Sequence, residues 1–218
     1  SSTKSGQYAT IQTMAAKSTE RRRAEIRDDL ALVKRWRAGD ERARTELVKR
    51  HLDQVRMTLY RIVGPTQDMP DLIQNALIEV VRSLDHYRGD ALLRTWIDRV
   101  CANVAYQFLR RRKGRQMVSL ELVPDPTDGP ALGGGGAEAS LEGRRLVDKL
   151  TRLLDGITAK KRIALLLHAV LGYSVKEVAA MTESGVSTTK SRILYARREL
   201  LKAARRDPEL KEWLGRTE

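Results

Sequence analysis

Several residue types are scarce in this chain. It has one cysteine, Cys101, one phenylalanine, and only 5% aromatic residues in 218. A lone cysteine excludes an intramolecular disulfide and any cysteine-built zinc site, and so few rings exclude large aromatic-filled cores. Cys101 reads as a small buried residue on a helix, the usual place of a free thiol. The histidines, His51, His86 and His168, lie far apart and follow no metal-ligand spacing. His168, on an apolar helix, reads as a core residue. The run Gly133 to Gly136 lacks the preceding strand and the following Lys-Ser/Thr of a phosphate-binding loop. With no catalytic constellation, an enzyme is not expected, nor is a cofactor, a metal or a small-molecule substrate. No stretch approaches the roughly 18 apolar residues of a membrane span, so membrane insertion is not expected. Residues 1–27 lack the apolar core of a secretory signal. A reduced, cytoplasmic setting is the expectation.

What the chain has in excess is positive charge. Lys and Arg number 41 against 28 acids, giving a net charge of +13 and a pI near 10.2. A chain this basic meets a polyanion, with DNA, RNA and anionic membrane as candidates that charge alone does not separate. Its length and its 41% hydrophobic content suit one or two small packed domains.

Helical periodicity organises the chain. Residues 1–27 are polar and read as a flexible tail. From about residue 28, Leu30, Val33 and Trp36 share a stripe that ends at Gly39-Asp40. A second helix is expected over 41–63, before a break at Gly64-Pro65-Thr66-Gln67. A third is expected over 70–84, with Pro70 in its first turn. After a turn at 86–90, a fourth covers 92–112 and runs into the basic end Arg110, Arg111, Arg112, Lys113. Residues 116–141, rich in Gly and Pro, read as a flexible linker. Periodicity resumes over 142–206, which holds 15 Lys/Arg and 6 acids, and residues 207–218 are left as a C-terminal tail. The expected fold is all-α, with two small helical domains, 28–115 and 142–206, on a flexible joint.

The second domain contains a helix-turn-helix pattern over 173–195. Ser174 followed by Glu177 makes a capping box. Glu183-Ser184-Gly185 supplies a turn in which Gly185 is free to take positive φ, and Ser187 can cap the next helix. In that helix Thr189, Ile193, Ala196 and Leu200 are spaced for the core. Ser191, Tyr195, Arg198 and Lys202 then face outward, beside Thr188, Lys190 and Arg192. Such donors at a helix start suit base edges and phosphates in a major groove. The motif says that DNA is bound, not what binding brings about.

In the first domain, Tyr87 and Trp96 sit among Arg82, Arg88, Arg94 and Arg99. Rings interleaved with arginines suit unpaired bases, which stack while the cations hold phosphate. Trp96 and Tyr87 are also candidates for the core.

The stretch DLIQNALIEVVRSLDHYRGDALLRTWIDRVCANVAYQFLRRRK, followed across the linker by YSVKEVAAMTESGVSTTKSRILYARREL, resembles the bacterial sigma factor family, most closely its extracytoplasmic function group. The likeness covers roughly residues 28–113 and 142–204. It implies a protein that binds core RNA polymerase and directs initiation at chosen promoters. By position, Asp71, Leu72, Ile73, Gln74 and Asn75, with Asp68 just ahead, match the segment that docks on the clamp helices of the β′ subunit. Asn75 stands where the family usually has an acid. Tyr87, Arg88, Trp96 and Arg99 match the part that opens the −10 element. Asn103 matches the residue that receives a flipped base, for which an amide is chemically suited. Arg110, Arg111, Arg112 and Lys113 match the grip on upstream phosphates. Thr188, Lys190, Ser191, Arg192, Tyr195 and Arg198 fall on the surface that faces the −35 element, with the domain on the β flap. Tyr195 replaces a common basic residue there, and Thr189 a common apolar one on the core side. An anti-sigma factor is a further expected partner, and the implied setting is the bacterial cytoplasm, at the nucleoid. The competing reading from the residues is a stand-alone DNA-binding regulator, in which the DLIQ helix has no purpose.

Overall fold

The computed structural model describes residues 2–118, 141–208, 210 and 211. These residues form eight α-helices: α1 Ser2–Arg37, α2 Glu41–Val63, α3 Met69–Ser83, α4 Leu93–Val118, α5 Leu141–Asp155, α6 Ala159–Ala169, α7 Val175–Met181 and α8 Val186–Ala204. A 3-10 turn, Leu84–His86, follows α3. Among the described residues there are no strands.

The all-α expectation holds, and the helices expected in the first domain fall close to their places. The N-terminal segment differs. Residues expected as a flexible tail are helical and continuous with α1. They contain no proline and one glycine, Gly6, so although eight of the 27 are Ser or Thr, no proline interrupts the helix. The helix stops at Gly39 (φ 85°), where only glycine is unstrained. Asp40 then caps α2, accepting from the N–H groups of Arg42 at 2.9 Å and Ala43 at 3.2 Å. The Arg35 guanidinium, 2.7 Å away, and these N–H groups hold the Asp40 carboxyl below its ordinary range.

The first bundle closes on Leu32 and Val33 of α1, Leu47, Val55, Leu59 and Ile62 of α2, Leu72, Ala76 and Val80 of α3, and Leu93, Ile97 and Ala105 of α4. Two long-range polar contacts fix its geometry. Buried Asp29 accepts from the Leu93 N–H at 3.0 Å, so α1 caps the start of α4. The Arg37 guanidinium donates to the carbonyls of Leu84, Asp85 and Tyr87, pinning the turn before α4. Cys101 is fully buried, and burial pushes its thiol pKa far up.

His51 is buried with Nδ1 2.9 Å from Gln54 Oε1 and with no partner for Nε2. Burial pushes its pKa below the ordinary imidazole value, although Asp29 and Asp98 pull the other way. The folded state therefore binds fewer protons than the unfolded chain. Stability present above an unfolded pKa of about 6.5 falls as the pH drops through that value. His51→Gln is expected to flatten the dependence of unfolding free energy on pH between about pH 7 and 5, by up to about 1 kcal/mol per pH unit. Parallel slopes for variant and parent in urea melts would reject a neutral buried imidazole.

The second bundle is formed by α5 to α8 around Ile163, Leu167, Val178, Met181, Ile193 and Ala196. Of the expected linker, residues 119–140 lie outside the described residues, 116–118 belong to α4, and Leu141 begins α5. The expected C-terminal tail is not free where it is described. Leu210 is buried, and Asp207 pairs with Lys149 at 3.2 Å while accepting from the Leu210 N–H. The two bundles pack against each other, α6 touching α2 and α4, and α7 touching α4.

Candidate nucleic-acid and polymerase interface

Helix α3 presents two faces because its apolar residues repeat at helical spacing. Leu72, Ala76 and Val80 point into the core, and Ile73 and Leu77 pack half-buried beside them. Asp68, Asp71, Gln74 and Asn75 are exposed. Leu72 departs from its expected docking role. At 4% exposure it anchors α3 from beneath and offers nothing to a partner. Asp68 precedes the helix, but its side chain makes no capping hydrogen bond. Ile78, which the sequence reading passed over, is exposed one turn beyond Gln74 and Asn75. Helical spacing alone was enough to place it on that face.

Tyr87 is also corrected. It is 2% exposed, its hydroxyl donates to the Ala91 carbonyl at 2.7 Å, and its ring meets Trp96 edge-on with centroids 5.9 Å apart. Burial raises the phenol pKa to about 12. A ring so placed cannot stack on a base; it supports Trp96 instead. Trp96 is half-buried, and Arg88 and Asn103 are exposed. At 100° per residue, Trp96, Arg99, Asn103 and Arg110 fall within about 60° of arc on α4. The structure thus gathers an indole, two guanidiniums and an amide in one stripe. Arg111 and Lys113 are exposed near its end. Arg112 is turned away, toward Asp155 of α5 at 3.3 Å.

The helix-turn-helix is built as its residues suggest, with two changes. The Ser174 hydroxyl accepts from the Glu177 N–H at 3.3 Å, and the Glu177 carboxylate accepts from the Ser174 N–H at 2.9 Å. The Ser174 contacts lower the Glu177 pKa. Ser174→Ala is expected to cost about 1 kcal/mol of unfolding free energy; a loss below a few tenths in denaturant melts would show that the box contributes little. In the turn, positive φ falls on Glu183 (48°) rather than Gly185, whose φ is −64°. Gly185, not Ser187, is the cap residue of α8. A chain of hydroxyls sets this register: Thr182 to Ser184 at 3.0 Å, Ser184 to Thr189 at 2.8 Å, and Thr189 back to the Gly185 carbonyl at 3.0 Å. Polar Thr189 is thereby accommodated with no exposure at a core position.

On α8, Thr189, Ile193 and Ala196 are buried. Thr188, Lys190, Ser191, Tyr195 and Arg198 are exposed, with Arg192 half-buried among them. Lys161 Nζ lies 5.8 Å from the Tyr195 ring centroid and 2.6 Å from Glu199. Leu194 and Leu201 are nearly half exposed on the same helix, an apolar addition that a donor-based reading overlooked.

Among the described residues, no group of His, Cys, Asp and Glu could hold a metal ion, and no helix is long and apolar enough to cross a membrane.

Residues 47–115 match the family described as Sigma-70 region 2, and residues 148–200 match Sigma-70, region 4. The ECF RNA polymerase sigma-E factor of Escherichia coli strain K12 is 33% identical over 174 residues, covering 78% of this chain and 90% of that protein. The protein of the same description from Haemophilus influenzae is 28% identical over 179 residues, covering 80% and 94%. Among solved structures, CnrH in complex with the cytosolic domain of CnrY aligns with a TM-score of 0.56 at 22% identity, over 81% of this chain and 97% of that one. The sigma factor RpoE with the anti-sigma factor NepR from Bartonella quintana aligns at 0.54 and 22%, over 72% and 94%. These two likenesses concern the fold.

Proposed function

This chain belongs to the sigma-70 family, in its extracytoplasmic function group, and from that premise we propose how its surfaces divide the work. A sigma factor directs promoter-specific initiation by RNA polymerase, and this chain does so with two domains. The exposed face of α3, with Asp68, Asp71, Gln74, Asn75 and the half-buried Ile73, docks on the β′ clamp helices. The α4 stripe and the turn before it take the −10 element: Trp96 supplies a ring, Arg88, Arg99 and Arg110 hold phosphate, and Asn103 hydrogen-bonds a flipped base. Arg111 and Lys113 hold the upstream duplex. The start of α8, through Thr188, Lys190, Ser191, Arg192, Tyr195 and Arg198, reads the −35 element while its domain lies on the β flap. Catalysis belongs to the polymerase; this chain supplies recognition and melting without a cofactor. It works in the cytoplasm, at the nucleoid, and an anti-sigma factor is the partner that holds it in reserve.

The observation that carries this reading is the joint presence, in one chain, of the acid-and-amide face of α3 and the capped helix-turn-helix. Neither a duplex-binding regulator nor a docking module needs both. Purified protein mixed with core bacterial RNA polymerase and a promoter library tests it. Stable association through β′ and new, sequence-defined run-off starts are expected. DNA binding without core association would favour a stand-alone regulator.

Asn103→Ala is expected to reduce open-complex formation about tenfold while closed-complex binding changes little, since the base is captured only after melting. Equal losses in permanganate footprints and in closed-complex binding would reject the pocket.

A further inference from the structure

The buried apolar residues of α1 are Leu32 and Val33, near its C-terminal end. The helix continues far ahead of them, and its outer side is basic. Arg23, Arg27 and Lys34 are exposed, and at 100° per residue they fall within about 40° of arc. That arc points away from Asp29, Leu32 and Val33, which face the bundle. Among the described residues none of the three cations has an ion-pair partner. The acids of this stretch are spent elsewhere. Asp29 is buried against the Leu93 N–H, Glu25 meets Arg94 of α4 at 3.7 Å, and Asp28 lies more than a quarter turn away from the arc. Glu20 precedes Arg23 by one turn. The arc beside the stripe holds Leu30 and Arg37, and both touch the turn before α4. A Cβ added at Gly89 would lie 2.8 Å from Leu30 Cδ1, and Arg37 donates to the carbonyls of Leu84, Asp85 and Tyr87. Exposed Arg88 stands in that turn, so the α1 stripe borders the −10 surface.

We propose that Arg23, Arg27 and Lys34 form a second phosphate track, on which α1 holds the DNA backbone flanking the −10 element. Three unpaired cations on one rigid helix face match a polyanion, and Arg88 already commits the adjoining turn to the same strand. Along the axis the three span about 16 Å. One DNA strand carries a phosphate every 3.4 Å of its axis, so the stripe faces a run of about five phosphates. Phosphate contacts fix position and carry no sequence information. The track therefore adds affinity and register while base choice stays with α4. The stripe stands on helix geometry; its occupant rests on the sigma-factor reading.

The test uses the full chain bound to core polymerase and promoter DNA bearing the −10 element found by run-off. Affinity is measured from about 50 to 200 mM salt, the range over which counterion release is read. The combined variant Arg23→Gln, Arg27→Gln and Lys34→Gln should flatten the plot of log affinity against log salt by about 0.9 per lost contact, roughly 2–3 in all. Glutamine keeps a helix propensity near that of Arg and Lys. The ranking of base substitutions in the −10 element should not change, nor should core association. Arg23→Lys with Arg27→Lys keeps the charge and should keep the parent slope, which separates charge from any effect on the helix. A control variant, Arg21→Gln, Lys49→Gln and Arg56→Gln, removes as many exposed cations elsewhere. Arg21 is off the stripe, and Lys49 and Arg56 lie on the side of α2 opposite Thr58, which meets α4. A parent slope in the stripe variant, or equal flattening in the control, overturns the track. Weaker core association with the DNA slope retained also overturns it, and would give the stripe to an acidic surface of the polymerase. Failure of the sigma-factor reading would show itself separately, as absent core association by the unsubstituted chain.

Discussion

Replacing Asp71 and Gln74 together by lysine is expected to weaken association with core polymerase about 100-fold and to abolish run-off transcription. Both side chains are exposed, with neighbouring positions on one face of α3, and neither contributes to the apolar core beneath. Two central interface positions lost at roughly 2 kcal/mol or less each give a loss of that order. The lysines also reverse the local charge, which disfavours any partner surface matched to an acidic face. Folding should be nearly untouched, because substitutions of exposed residues away from buried features fall within about 0.5 kcal/mol. The check is a pull-down with core enzyme beside a thermal melt. Normal core binding in a folded variant would remove α3 from the docking surface. A lowered melting temperature would instead assign these residues to stability.

Asp98→Ala is expected to lower the unfolding free energy by about 2–4 kcal/mol. This residue is 7% exposed and lies where both bundles meet. One carboxylate oxygen accepts from the Thr58 hydroxyl at 2.7 Å and the Gln54 amide at 2.9 Å, and the other from the Tyr173 hydroxyl at 2.5 Å. Gln54 donates to the Arg94 carbonyl as well, so its amide keeps one partner, whereas Thr58 is only 2% exposed to solvent. Each buried donor left unmet costs about 1–3 kcal/mol. Asp98→Asn, which preserves one acceptor oxygen, should lose less. Chemical denaturation of the three proteins decides the matter; an alanine variant within about 1 kcal/mol of the parent would mean that water fills the gap.

How much of this was legible beforehand depended on range. The amphipathic stripes of α2, α3 and α4 are local, and so is the Ser174–Glu177 box; both were readable from spacing. The residue with positive φ in the helix-turn-helix turn was not, because glycine advertises that freedom while a hydroxyl chain through buried Thr189 hands it to Glu183. Tyr87 was misjudged for a related reason. An aromatic in a turn looks exposed until Arg37, fifty residues earlier, is seen to grip its carbonyl. Arg162 stands in the run Lys160-Lys161-Arg162, where nothing in the sequence sets it apart from surface charge. It is buried, and its acceptors, the Ile62 and Val63 carbonyls, lie about a hundred positions away, beyond any pattern in a single sequence. Most of the donors and acids named on α3 and α8 are exposed, because exposure follows from helical phase once the buried stripe is fixed. Leu72 fell out of its set because that same phase turns it inward.

The buried thiol of Cys101 gives this protein a clock. It is the chain's sole cysteine, fully buried, with its ionisation suppressed by its surroundings. Thiol reagents attack the thiolate, so modification must await an excursion that exposes the middle of α4. Where reclosing outpaces the reagent, the labelling rate measures the free energy of that excursion. The same silence lets cysteines placed on the surface take their labels first, in minutes rather than hours, without removal of the native residue.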